Sequence, residues 1–142
     1  MKRYMVVAEA IATLSKDPST KVGCVILDSD RRVRAVGYNG FSRGVADTGI
    51  RLHNRDTKLK FIAHAETNAI ANAAAVGTPL KGTTLVVTKH PCDECAKVII
   101  NAGITQVICP NPTEKWIEHS RIATIMFKEA GVEVVLYGEE ND

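Results

Sequence analysis

Two short runs in this 142-residue chain set reactive side chains at an informative spacing: His64-Ala65-Glu66 and Pro91-Cys92-Asp93-Glu94-Cys95. Cysteines at i and i+3 project from the same face of a helix. Near a helix N-terminus, unpaired N–H groups and the dipole favour thiolate over thiol. One imidazole and two thiolates suit a tetrahedral zinc ion and leave its fourth position open. Hydrolytic catalysis needs that opening, because zinc lowers the pKa of a bound water to about 7. Glu66, two residues after the histidine, is placed to exchange protons with such a water. Two other readings use the same residues. Cys24, Cys109 or His90 could complete a closed structural zinc site, or the Cys-x-x-Cys could do redox chemistry, which leaves His64 and Glu66 without a role.

Both runs fall at the starts of helices. Residues 64–76 are Ala-rich and read as a helix stopped by Gly77 and Pro79. Residues 92–102 read as a second helix closed by Gly103, with a strand at 83–88 between the two. Upstream, Tyr4, Val7, Ala8, Ile11, Ala12 and Leu14 recur at helical spacing over residues 2–15. Strands at 22–27 and 33–38, joined by Asp28-Ser29-Asp30-Arg31, make an antiparallel hairpin, and Asn39-Gly40 turns the chain sharply. Residues 41–62 show no clear period. Downstream come a strand at 106–109, a helix at 113–130 closed by Gly131 and a strand at 133–137. The order α-β-β-α-β-α-β-α-β predicts one domain over residues 1–142. Its class is α/β, a three-layer α/β/α sandwich around a five-stranded mixed sheet.

Composition narrows the function classes. The chain is 45% hydrophobic and 24% charged, as globular domains are. Lys plus Arg is 18 against 16 acidic residues, and a net charge of +2 is too weak to call for a nucleic-acid partner. Aromatic residues at 5% are too few for base-stacking platforms. No run approaches the roughly 18 apolar residues of a membrane span. The N-terminal apolar run is broken at Glu9, so no secretory leader is expected and the cytoplasm is the expected compartment. Disulfides among four cysteines would add little to a cytosolic domain of this size.

The order H-x-E followed by P-C-x-x-C is a zinc deaminase signature. The chain resembles the cytidine deaminase superfamily, and within it the deoxycytidylate (dCMP) deaminase branch. Beyond the zinc motifs, Asp17-Pro18-Ser19-Thr20-Lys21-Val22-Gly23, Gly37-Tyr38-Asn39-Gly40-Phe41 and the run from His64 to Ile70 resemble that branch, which covers residues 15–109 in all. The resemblance implies sheet order 2-1-3-4-5, one zinc ion on His64, Cys92 and Cys95, and Glu66 as proton shuttle. The implied reaction is hydrolysis of dCMP to dUMP and ammonia. Backbone amides near Ala65 would hold the pyrimidine carbonyl, and Asn39 resembles the family asparagine that binds the deoxyribose 3′-hydroxyl. A homo-oligomer, hexameric or smaller, is implied as well, and dCTP and dTTP are effectors of some members.

Other residues are read directly. Lys21, on the loop before the first strand, is the candidate phosphate contact, since a nucleotide phosphate needs a cation or N–H donors. Trp116 follows a strand end, where it either walls the substrate site or anchors the last helix. Cys24 and Cys109 read as core residues, His53 and His119 as exposed, and His90, beside the metal loop, as a surface residue or part of the pocket rim. The segment 51–60 is rich in cations and reads as a solvated helical face that could also meet a phosphate. It lacks the cysteines with which some family members bind a second zinc. Ser42 replaces the usual proline of the branch. A tRNA adenosine deaminase shares the zinc motifs, but its Asp-Pro-Thr before the histidine is replaced here by Phe61-Ile62-Ala63. The free-cytidine branch has Cys where His64 stands. A non-catalytic zinc module would instead use four protein ligands and unfold on chelation.

Overall fold

The computed structural model describes residues 1–138. A 3-10 turn at Lys2–Tyr4 leads into α1 (Met5–Ala12), followed by the hairpin of β1 (Gly23–Leu27) and β2 (Val33–Tyr38). The two-residue strands β3 (Gly40–Phe41) and β4 (Ile62–Ala63) pair across α2 (Gly49–His53) and α3 (Arg55–Phe61). Then come α4 (Ala65–Ala75), β5 (Thr84–Val87), α5 (Asp93–Asn101) and β6 (Gln106–Cys109). A 3-10 turn at Glu114–Trp116, α6 (Ile117–Ala130) and β7 (Glu133–Leu136) follow.

The main sheet has the order β2-β1-β5-β6-β7, which is 2-1-3-4-5 when only its own strands are counted. β5, β6 and β7 are parallel, as their helical crossovers require. β1 is antiparallel to β2 and also to β5, so it runs alone against four strands that share a direction. Alternation along β1 splits the core. Cys24 and Ile26 pack with Ala69 of α4, Ile99 of α5 and Phe127 of α6, whereas Val25 and Leu27 pack with Met5 and Ala8 of α1. Helices thus lie on both faces of the sheet, and each fully buried Leu, Ile or Val contributes about 1.5–3 kcal/mol.

Two glycines set how closely the helices approach. A Cβ on Gly23 would collide with the Ala8 carbonyl oxygen in α1. One on Gly37 would collide with backbone atoms of Ala65 and Ala69 in α4. The first turn of α4, which carries Glu66, is therefore pressed directly onto β2.

Two expectations needed revision. The first helix is shorter than 2–15: Thr13 Oγ1 bonds back to the Ala10 carbonyl at 2.6 Å, and Ser15 Oγ turns away to the Asn39 carbonyl at 2.8 Å. The stretch 41–62, which has no period, contains two helices. Thr48 and Asn54 cap them, accepting from Arg51 N–H at 3.3 Å and Thr57 N–H at 3.0 Å. In α3 only Lys58 is buried, while Leu59 is 56% and Phe61 41% exposed, so no apolar stripe marks the helix. Among the described residues no helix is long and apolar enough to cross a membrane.

Candidate active site and metal centre

Because β1 runs against its neighbours, its entry loop lies at the same end of the sheet as the exits of β2 and β5. A cleft of about 150 Å³ opens there. Its lining includes Asn39, Lys58, His64, Glu66, Cys92 and Trp116.

His64 is the N-cap residue of α4, yet its ring caps nothing. The imidazole turns instead to two sulfurs, with Nδ1 3.2 Å from Cys95 Sγ and 3.5 Å from Cys92 Sγ. Cys92 is the N-cap of α5, and its sulfur accepts the Cys95 N–H at 3.5 Å. The three donor atoms lie within 4.8 Å of one another. Zinc bonds of about 2.0–2.3 Å in a tetrahedron put neighbouring ligand atoms about 3.5 Å apart, so this donor set and spacing fit zinc.

The electrostatics agree. The Cys92 thiol is held down to about 4, first by the hydrogen bond from Cys95 and then, against burial, by His64. Cys95 is pushed up by that same shared bond, by burial and by the charge of Glu66. His64 is raised, chiefly by its bond to Cys92. Burial lifts Glu66 to about 6, opposed by its own backbone N–H and by His64. Two sulfurs and a carboxyl packed this closely call for a cation among them.

The other anticipated residues divide. Ala65 is buried at the start of α4 and lines the cleft. Asn39 lines it too, but its amide is occupied: Oδ1 accepts Val22 N–H at 2.8 Å, and Nδ2 donates to the Thr20 carbonyl at 2.9 Å and to Asp17 Oδ2 at 3.4 Å. Lys21 is exposed and does not line the cleft. The cations that do are Arg55, Lys58 and Lys89. Trp116 both lines the cleft and packs on the core, donating Nε1–H to the His90 carbonyl at 3.0 Å, with Lys89 Nζ 3.9 Å from its ring centre. His90 lines the cleft and is buried. His119 and His53 are exposed, and Cys24 and Cys109 sit in the core. All four cysteines are free thiols.

Sequence reasoning passed over the buried pair of Asp17 and Lys58. Asp17 Oδ1 accepts Lys58 Nζ at 3.0 Å, Ser19 N–H at 2.8 Å and Thr20 N–H at 3.2 Å. Burial pushes the Asp17 carboxyl up, but the Ser19 amide, Lys58 and the Thr20 amide outweigh it and leave it below its ordinary value. The signals available were the cation-rich stretch 51–60 and the run from Asp17 to Gly23, with nothing to join them.

A centre of one imidazole and two thiolates, with a buried carboxyl beside it, is how zinc enzymes deaminate nucleobases. The chain is of that class. Residues 1–110 match the family described as the cytidine and deoxycytidylate deaminase zinc-binding region, and the chain belongs to that family. It is 42% identical over 137 residues to the uncharacterized deaminase in the luxG 3′ region of Aliivibrio fischeri, covering 94% of this chain and 90% of that one. It is 38% identical over 134 residues to the deoxycytidylate deaminase of Homo sapiens, covering 91% and 74% of the two chains. Its fold is similar to the dCMP deaminase of cyanophage S-TIM5 solved in complex with dCMP and dUMP, with a TM-score of 0.76 and 27% identity over 94% and 93% of the chains.

Proposed function

We propose that this protein hydrolytically deaminates dCMP to dUMP and ammonia. The observation that carries the proposal is the convergence of His64, Cys92 and Cys95 beside the buried Glu66, with His64, Glu66 and Cys92 lining one small cleft. Human and phage relatives named for dCMP deamination support the substrate. Zinc held by His64, Cys92 and Cys95 would supply the Lewis acidity that readies a water at neutral pH. Glu66 takes a proton from the attacking water and delivers it to N3 of the cytosine ring. It then takes the proton of the new C4 hydroxyl and passes it to the amine, so that the C4–N bond breaks, ammonia leaves and the C4–O bond becomes the carbonyl of the product. The amide of Ala65, at a helix start that no side chain caps, donates to the pyrimidine carbonyl.

The same reading takes residues 1–142 as one domain in the cytoplasm, a homo-oligomer of six chains or fewer, and dCTP and dTTP as effectors. Sedimentation with and without each triphosphate tests the last two.

The central test is deamination followed by ultraviolet absorbance on dCMP, dCTP, deoxycytidine and a tRNA anticodon stem, with Glu66→Ala as control. Turnover of dCMP that is lost in Glu66→Ala with zinc still bound is expected. Turnover of the tRNA adenosine alone would move the function to RNA editing.

A further inference from the structure

α3 is inverted. It carries Lys58 into the protein and leaves Leu59 and Phe61 outside, the reverse of an amphipathic surface helix. Lysine is almost never fully buried unless paired, and here the pair is with Asp17. An ammonium has three hydrogens to donate. Among the described residues, Asp17 is the one partner found for Lys58, and the side chain lines the cleft. Two donors of this buried cation thus have no partner among the described residues, and an unmet buried donor is unfavourable. Asn39 is in the opposite condition, with both amide hydrogens already given to Thr20 and Asp17. Arg55, three residues before Lys58 and so on the same helical face, lines the cleft as well. Among the described residues it has no partner.

We infer that Lys58 is the specificity-determining residue of this cleft: anchored by Asp17, its ammonium binds a phosphate oxygen of the nucleotide and separates nucleotide from nucleoside. Asn39 is then a positioning residue that braces the Asp17 loop. The inference rests on the dCMP reading for its ligand, but its test reads binding and not turnover. Trp116, the chain's one tryptophan, lines the cleft and reports occupancy by its fluorescence.

The experiment titrates dUMP and deoxyuridine into the zinc-loaded wild type and into Lys58→Met, with thermal melting to verify folding. The wild type is expected to bind dUMP more tightly. Lys58→Met is expected to lose about 10- to 100-fold in dUMP affinity, the value of a charged hydrogen bond, and much less in deoxyuridine affinity. Equal weakening of both ligands would mean a structural role only and would overturn the inference, as would a wild type that does not prefer dUMP. If Lys58→Met does not fold, Lys58→Arg retains the charge at altered reach. It should weaken dUMP more than deoxyuridine, and equal weakening again overturns the inference. Absent dCMP turnover in a wild type that prefers dUMP would sink the deaminase reading and leave the role of Lys58 standing.

Discussion

α5 and α3 border the same cleft but are held there by different forces. α5 turns Cys95, Ala96 and Ile99 into the core and leaves Glu94 and Lys97 outside in a 3.0 Å ion pair. It is seated by apolar burial, and its metal-binding sulfurs come with that seating. α3 has no such face. It is held by the Asn54 cap at its start, by the buried bond from Lys58 to Asp17 at its middle, and by Phe61 at its end against the Phe41 ring and the Arg51 guanidinium. One wall of the cleft is thus fixed by the core and the other chiefly by polar contacts, with one aromatic side chain at its end. Metal chemistry lies on the first wall, and recognition of the substrate's charge belongs to the second.

The largest effects are expected on the metal wall. Cys95→Ala should lose bound zinc and dCMP turnover together, measured by metal analysis of gel-filtered protein beside the ultraviolet assay; full turnover without metal would refute the centre. Ile99→Ala should destabilise the fold by about 2–5 kcal/mol in urea titrations, because its site is fully buried.

On the other wall, Asp17→Asn leaves Lys58 buried without its counter-charge and should lower stability by about 3 kcal/mol. The sign of its pH dependence follows from the lowered folded-state pKa of Asp17. The contribution is fully present above the ordinary carboxylate value of 3.8 and is lost as pH falls through the lower folded value. Melting curves of wild type and variant should therefore stay a constant distance apart near neutrality and converge in acid. Divergence on acidification would contradict the pairing. The smallest effect is Leu59→Ala, within about 0.5 kcal/mol in the same titrations, since the side chain is largely outside. A loss comparable to Ile99→Ala would mean that α3 is seated by its apolar residues after all.

Legibility in the sequence follows the same division. The alternation of Val25, Ile26 and Leu27 and the burial of Ile99 and Phe127 come from apolar patterns, which a sequence displays. The zinc ligands were readable because their spacing is local to helix starts. The segment 51–60 was legible as a helical face, but not that α3 turns Lys58 inward, and β3 and β4 were hidden because two-residue strands leave no period. Lys58 could not be told from its cationic neighbours, since its partner Asp17 is 41 residues away and only folding brings them together. Asn39 was visible as a site residue, but the occupation of its amide by Thr20, Val22 and Asp17 was not.

The lone reversed strand has a consequence for how the protein is made. β1 finds β2 at once in its own hairpin, but its second edge is met only by β5, which begins at Thr84. While the ribosome supplies the intervening chain, Val25, Ile26 and Leu27 present an open strand edge of the kind that recruits other chains. Slower translation between β2 and β5 would lengthen that exposure, so the yield of soluble protein should depend on elongation speed across this interval.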